Sequence, residues 1–117
     1  MTELNGVFSF PSTGHWMAHA QLSHTCASTN DYVMMQIHYS EDNDGGGGSF
    51  AAAFEGGWQG NHSNGRGATA VTGLFDIEDT DEQAIIFVLT SEEATIATFV
   101  NATYSRNYFQ FIRLADT

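Results

Sequence analysis

The sequence predicts an all-β fold, a sandwich or a barrel, on three observations. Apolar residues return at every second position in segment after segment, the period of a strand with one buried face. The i, i+3, i+4 spacing of an amphipathic helix is nearly absent. Clusters of Gly, Ser, Asn and Asp interrupt the alternation at short intervals, as turns between short strands do. The 117 residues suit a single domain spanning 1–117, and a composition that is 42% hydrophobic, with nine Phe, supplies a core without disulfides.

In chain order, Gly6 to Phe10 reads as a short first strand, closed by a turn at Pro11 to Gly14. Trp16, Ala18, Ala20 and Leu22 then fall on one face of a strand, with Met17, His19, Gln21 and Ser23 on the other. The next run sets Val33, Met35, Ile37 and Tyr39 against Tyr32, Met34, Gln36 and His38. Phe50 to Phe54, Ala68 to Ile77, Gln83 to Leu89, Thr95 to Val100 and Tyr108 to Leu114 continue the pattern and bring the expectation to eight strands. Ser40 to Ser49, Gly56 to Gly67 and Glu78 to Asp81 read as connections, with Gly45 to Gly48 as a loop tip.

Some strands are apolar on both faces. Gln83 to Leu89 is nearly continuously apolar, and Tyr108, Ile112 and Leu114 alternate with Phe109 and Phe111. A two-layer sandwich buries one face of each sheet, so a second apolar face implies another cover, and a further copy of the chain is the economical one.

Charge excludes several function classes. Fourteen acidic residues face three basic ones, Arg66, Arg106 and Arg113, and there is no Lys. A nucleic-acid binder needs cations to displace counterions, and insertion at an anionic membrane surface needs a basic patch; neither partner fits. The glycine run cannot be a Walker-type phosphate loop without its Lys. Only 15% of residues are charged, below the usual ~25%, which favours a virion or extracellular surface kept soluble by net repulsion over adaptation to high salt. Cys26 has no second Cys to pair with. Met1 to Phe10 lacks a basic stretch followed by an apolar run, and no segment is an apolar span of membrane length.

The candidate sites are sparse. His15, His19, His24, His38 and His62 form no H-x-H or H-E-x-x-H arrangement, so no metal centre is expected of them. Asp42-Asn43-Asp44-Gly45 resembles the start of a calcium loop and makes Asp42 and Asp44 the candidate calcium ligands, but the glutamate at the twelfth position is missing. Asp76, Glu78, Asp79, Asp81 and Glu82 form an acidic turn that reads as solvated. No cofactor and no catalysis are expected: there is no G-x-S-x-G, and Cys26 lies in a polar run with no motif around it. Trp58, Gln59, Asn61 and His62 combine indole, amide and imidazole groups in one loop, the chemistry a sugar ligand would need. Asn61-His-Ser63 and Asn101-Ala-Thr103 are sequons.

Three segments resemble the jelly-roll superfamily of tumour necrosis factor and the complement 1q globular heads. Gly6-Val-Phe-Ser-Phe-Pro-Ser-Thr-Gly-His-Trp16 looks like its opening strand and Pro-containing turn, Gly73-Leu-Phe-Asp-Ile77 is similar to its Gly-Val-Phe-x-Leu segment, and Tyr108-Phe-Gln-Phe-Ile-Arg-Leu114 resembles its final strand. The closing Phe111-Ile-Arg-Leu-Ala-Asp-Thr117 also resembles the ends of such domains in virion proteins of marine bacteriophages.

The resemblance implies a two-sheet antiparallel jelly-roll sandwich, assembled as a homotrimer around a threefold axis. It implies an interface of Met17, His19, Gln21, Ala70, Thr72, Leu74, Tyr108, Gln110, Ile112 and Leu114, with Phe109 and Phe111 pointing between the sheets. The function it implies is a non-catalytic recognition head on a virion tail or capsid fibre, among other virion proteins and facing a host cell-surface glycan or protein. The alternative is a secreted, extracellular carbohydrate-binding or signalling module of the same fold. The family's first strand normally precedes the segment matching Gly6 to Phe10, and only five residues stand before it here. The resemblance therefore implies that this strand is missing, shortened or supplied by a partner.

Overall fold

A computed structural model describes residues 1–26, 32–42, 48–56, 59–60, 65–91, 96–98 and 107–116. Among them the regular elements are all strands: β1 (Thr2–Leu4), β2 (Val7–Ser9), β3 (Gly14–Cys26), β4 (Tyr32–Ser40), β5 (Ala51–Glu55), β6 (Gln59–Gly60), β7 (Gly65–Ile77), β8 (Ala84–Ser91), β9 (Ile96–Thr98) and β10 (Tyr108–Ala115). They form two antiparallel sheets. The larger runs β1-β2-β8-β4-β5, with β6 also on β4; the smaller runs β10-β3-β7, with β9 also on β3.

The alternation read from the sequence decides which side chains meet between the sheets. Trp16, Ala18 and Ala20 of β3 and Val71, Phe75 and Ile77 of β7 are buried against Met35 and Ile37 of β4 and Ile85 of β8. The Trp16 indole keeps its donor satisfied by giving it to the Ser12 carbonyl at 3.0 Å, so its ring is buried without an unpaired N–H. Gly73 lies on this inner face because Phe54 and Phe75 press on it: a Cβ there would stand 2.6 Å from a Phe54 ring carbon and 2.8 Å from one of Phe75.

The described residues hold two strands more than the eight expected. β1 pairs with β2 through Asn5 and Gly6, both at positive φ (54° and 83°), the geometry of a two-residue type I′ hairpin. Asn-Gly is itself a strong hairpin signal; three residues of alternation before it are too few to read as a strand. β6 and the start of β7 fall within Gly56 to Gly67, which the sequence presents as a connection. β3 and β7 pair along their whole length, from Gly14 opposite Ile77 to Cys26 opposite Gly65, so a long cross-strand partner overrides the loop-like composition of both ends. Gln83 belongs to the turn before β8, where its side-chain oxygen accepts the backbone N–H groups of Glu78 (2.6 Å) and Asp79 (2.8 Å).

β10 is an edge strand, and this alters one expectation. Phe8, Phe87, Phe109 and Phe111 cluster with ring centroids 4.9 to 6.0 Å apart. Phe111 packs on the core, but Phe109 stays 51% exposed on β10, which is the edge of its sheet among the described residues.

Candidate functional site

The outward face of the smaller sheet gathers the ten residues marked as an interface. Register places Tyr108, Gln21 and Ala70 in one row across β10, β3 and β7, then Gln110, His19 and Thr72, then Ile112, Met17 and Leu74. Leu114 follows at a β-bulge: Arg113 pairs with Trp16 and Ala115 with His15, which leaves Leu114 as the extra residue. The bulge draws β10 aside, and a groove of about 400 Å³ opens beside it, lined by Leu74, Leu114, Ala115, His15 and Asp76 among others.

The middle of this face is apolar or neutral, with three large aliphatic side chains exposed on it. Leu74 is 61% exposed, Leu114 55% and Ile112 37%, an unusual loss for three large aliphatic side chains in neighbouring rows. None of the ten residues is a carboxylate, although the chain carries a net charge of −11. At one end of the face His15 Nδ1 lies 3.2 Å from Asp76, and at the end of β10 Arg113 pairs with Asp116. Arg113 also donates to the Thr13 carbonyl, which ties the end of β10 to the turn before β3.

His19 occupies the middle strand and middle row. Its Nδ1 is 2.8 Å from the Thr72 hydroxyl and its Nε2 is 3.2 Å from the Tyr108 hydroxyl, so one imidazole links all three strands. The sequence marks His19 by parity alone. The His15–Asp76 pair and the bulge at Leu114 escape sequence reasoning, because both depend on the register between strands about sixty and a hundred residues apart in the chain.

The other candidates are not assembled into sites by the described residues. Asp42 donates its backbone N–H to the Ser40 hydroxyl (3.2 Å), and Asp44 lies outside the described residues. In the acidic turn, the Asp79 carboxylate accepts the backbone N–H groups of Asp81 (2.9 Å) and Glu82 (3.3 Å), which serves the turn and not a cation. Among the described residues, no three His, Cys, Asp or Glu side chains lie close enough together to hold a metal ion. Trp58, Asn61 and His62 lie outside the described residues, and Gln59 is described only as backbone in β6. No protein-family model matches the sequence, and no curated protein shows significant similarity to it.

Proposed function

We propose that this chain is the trimeric head of a virion fibre or appendage, with a structural role, recognition of a host cell surface, and no catalytic step. The carrying observation is the outward face of β10, β3 and β7, where Ile112, Met17, Leu74 and Leu114 form an apolar patch bordered at one end by the His15–Asp76 pair. A chain of net charge −11 repels its copies overall, so a face poor in carboxylates is where self-association costs less. The jelly-roll reading draws support from the path of the chain. It crosses between the sheets at β2–β3, β3–β4, β6–β7, β7–β8 and β8–β9, winding the strands around one core.

Light scattering after size exclusion tests assembly: a species of about 38 kDa, three copies of 12.7 kDa, is expected. A monodisperse monomer at micromolar concentration would refute it. Virion-assembly genes beside the coding sequence would support the fibre head, while a secretion signal there would favour the extracellular module. A glycan array probed with the purified protein tests recognition.

A further inference from the structure

We infer that His19 makes the assembly acid-sensitive, releasing folded protomers as pH falls through the histidine range; this regulation rests on the trimer reading. In the isolated protomer both partners of the ring are hydroxyls, Thr72 on β7 and Tyr108 on β10. A hydroxyl donates or accepts by turning about its C–O bond. Within the single protomer, hydroxyl partners can therefore meet either form of the imidazole.

Assembly removes that tolerance. The other side chains in the rows around His19 are Met17 and Gln21 on β3, Ala70 and Leu74 on β7, and Gln110 and Ile112 on β10. None of them carries a charge. The ionic pair of the face, His15 with Asp76, stands two rows away at its end, and Arg66 holds a register position opposite Thr25, three rows away toward the other end. If further copies cover the face with these same uncharged rows, water is withdrawn from His19 and no carboxylate is brought to it, and a trimer repeats this three times.

The two other described outward histidines differ in their surroundings. His15 has Asp76 at 3.2 Å to meet its charge. His38, on the opposite face of the molecule, reaches the Gln36 amide oxygen at 3.2 Å, and Gln36 in turn reaches Glu55. His24 is fully buried in the protomer core, so charging it would act on folding and not on assembly alone.

If the dissociated protomers hold three protons that the trimer excludes, the association constant falls by up to about a thousandfold per pH unit below the ordinary histidine value. Light scattering and circular dichroism on the whole chain, in steps from pH 8 to pH 5, test this. The expected result is a trimer at pH 8 that becomes a monomer with unchanged β-sheet signal by about pH 5, at a midpoint that moves lower as protein concentration rises. His19→Gln should remain trimeric throughout, and His15→Gln should follow the parent.

A monomer at pH 8 overturns the trimer reading and this inference with it. A trimer that persists at pH 5, an acid transition that also loses the β signal, or identical curves for parent and His19→Gln overturns the inference alone. Should His19→Gln not assemble at pH 8, the substitutions His15→Gln and His38→Gln decide: each must leave the acid loss intact, and either one abolishing it overturns the assignment to His19.

Discussion

The outward faces of the two sheets are built from the same alternation, but their polar side chains bond differently. On the larger sheet, Gln36 of β4 donates to the Glu55 carboxylate of β5 at 3.4 Å and meets His38 at 3.2 Å, while Met34, Ile86 and Val88 around them are half-buried. Apart from Leu4 at the tip of the β1–β2 hairpin, that face leaves no large apolar side chain mostly exposed among the described residues. On the smaller sheet the polar bonds run through an imidazole and two hydroxyls, and Leu74, Ile112 and Leu114 stand out beside them. Period two tells which residues point away from the core. The chemistry of those residues then separates a face whose apolar groups are half-buried from one that exposes large aliphatic side chains.

The comparison is broken most severely by placing one carboxylate at different points around it. Phe111→Asp puts an unpaired charge among Phe8, Phe87 and the core, where even truncation to Ala costs ~3 to 5 kcal/mol, so this variant should lose its β-sheet circular dichroism. Ile112→Asp, one residue on, should keep the fold and lose assembly, because it sets like charges against each other across the proposed interface. Thr90→Asp, on the outward face of β8, should keep both the fold and the parent's mass by light scattering. The reverse order for Phe111 and Ile112 would mean that the register of β10 is off by one residue.

A smaller loss sharpens the contrast between the inner and outer faces of one strand. On β7, Gly73 points inward beneath Phe54, and Thr72 points outward toward His19. Gly73→Ala forces a methyl group to within 2.6 Å of the Phe54 ring, and overpacking of that kind costs ~1 to 3 kcal/mol. Denaturant melts should show that loss with the oligomeric mass unchanged. Thr72→Val keeps its shape, so its stability change should be well under that of Gly73→Ala; an equal loss would mean that the two faces are not packed as differently as they look.

Most of the sandwich was legible in the sequence, and the outward face was legible as a set of parities. Trp16, Ala18 and Ala20 face the core and Met17, His19 and Gln21 face away because a strand has no other choice. What parity cannot supply is register. Pairing of Gly65 and Arg66 with Cys26 and Thr25 makes strand out of residues whose composition favours a loop, and it also sets His15 opposite Asp76. The bulge at Leu114 is hidden for the same reason, since nothing local to Arg113-Leu114-Ala115 says that two of them oppose one residue of β3. The β1–β2 hairpin is the opposite case: Asn5-Gly6 carries a local turn signal, yet the first strand legible in the sequence starts at Gly6, because Thr2–Leu4 is too short to announce a strand of its own.

The mildest test concerns the rim of the larger sheet, where Tyr39 meets the acidic turn. Burial raises the Tyr39 phenol above its ordinary value, and the negative charges of Glu41, Glu78 and Asp76 push the same way, against the lowering by the Gln83 amide that donates to its oxygen at 2.6 Å. The fold thus prefers the neutral phenol. A group raised in the folded state stabilises fully below its unfolded value, about 10 for tyrosine, and that contribution is lost as pH rises through the folded value. Tyr39→Phe has no proton to lose, so its stability should fall less steeply than the parent's above about pH 10, after starting lower at neutral pH by ~1 kcal/mol for the missing hydrogen bond. Denaturant melts of both proteins at pH 8 and in steps above pH 10 measure the two slopes. Parallel slopes would mean that Tyr39 is open to water, and that the acidic turn is not held against the sheet by Gln83.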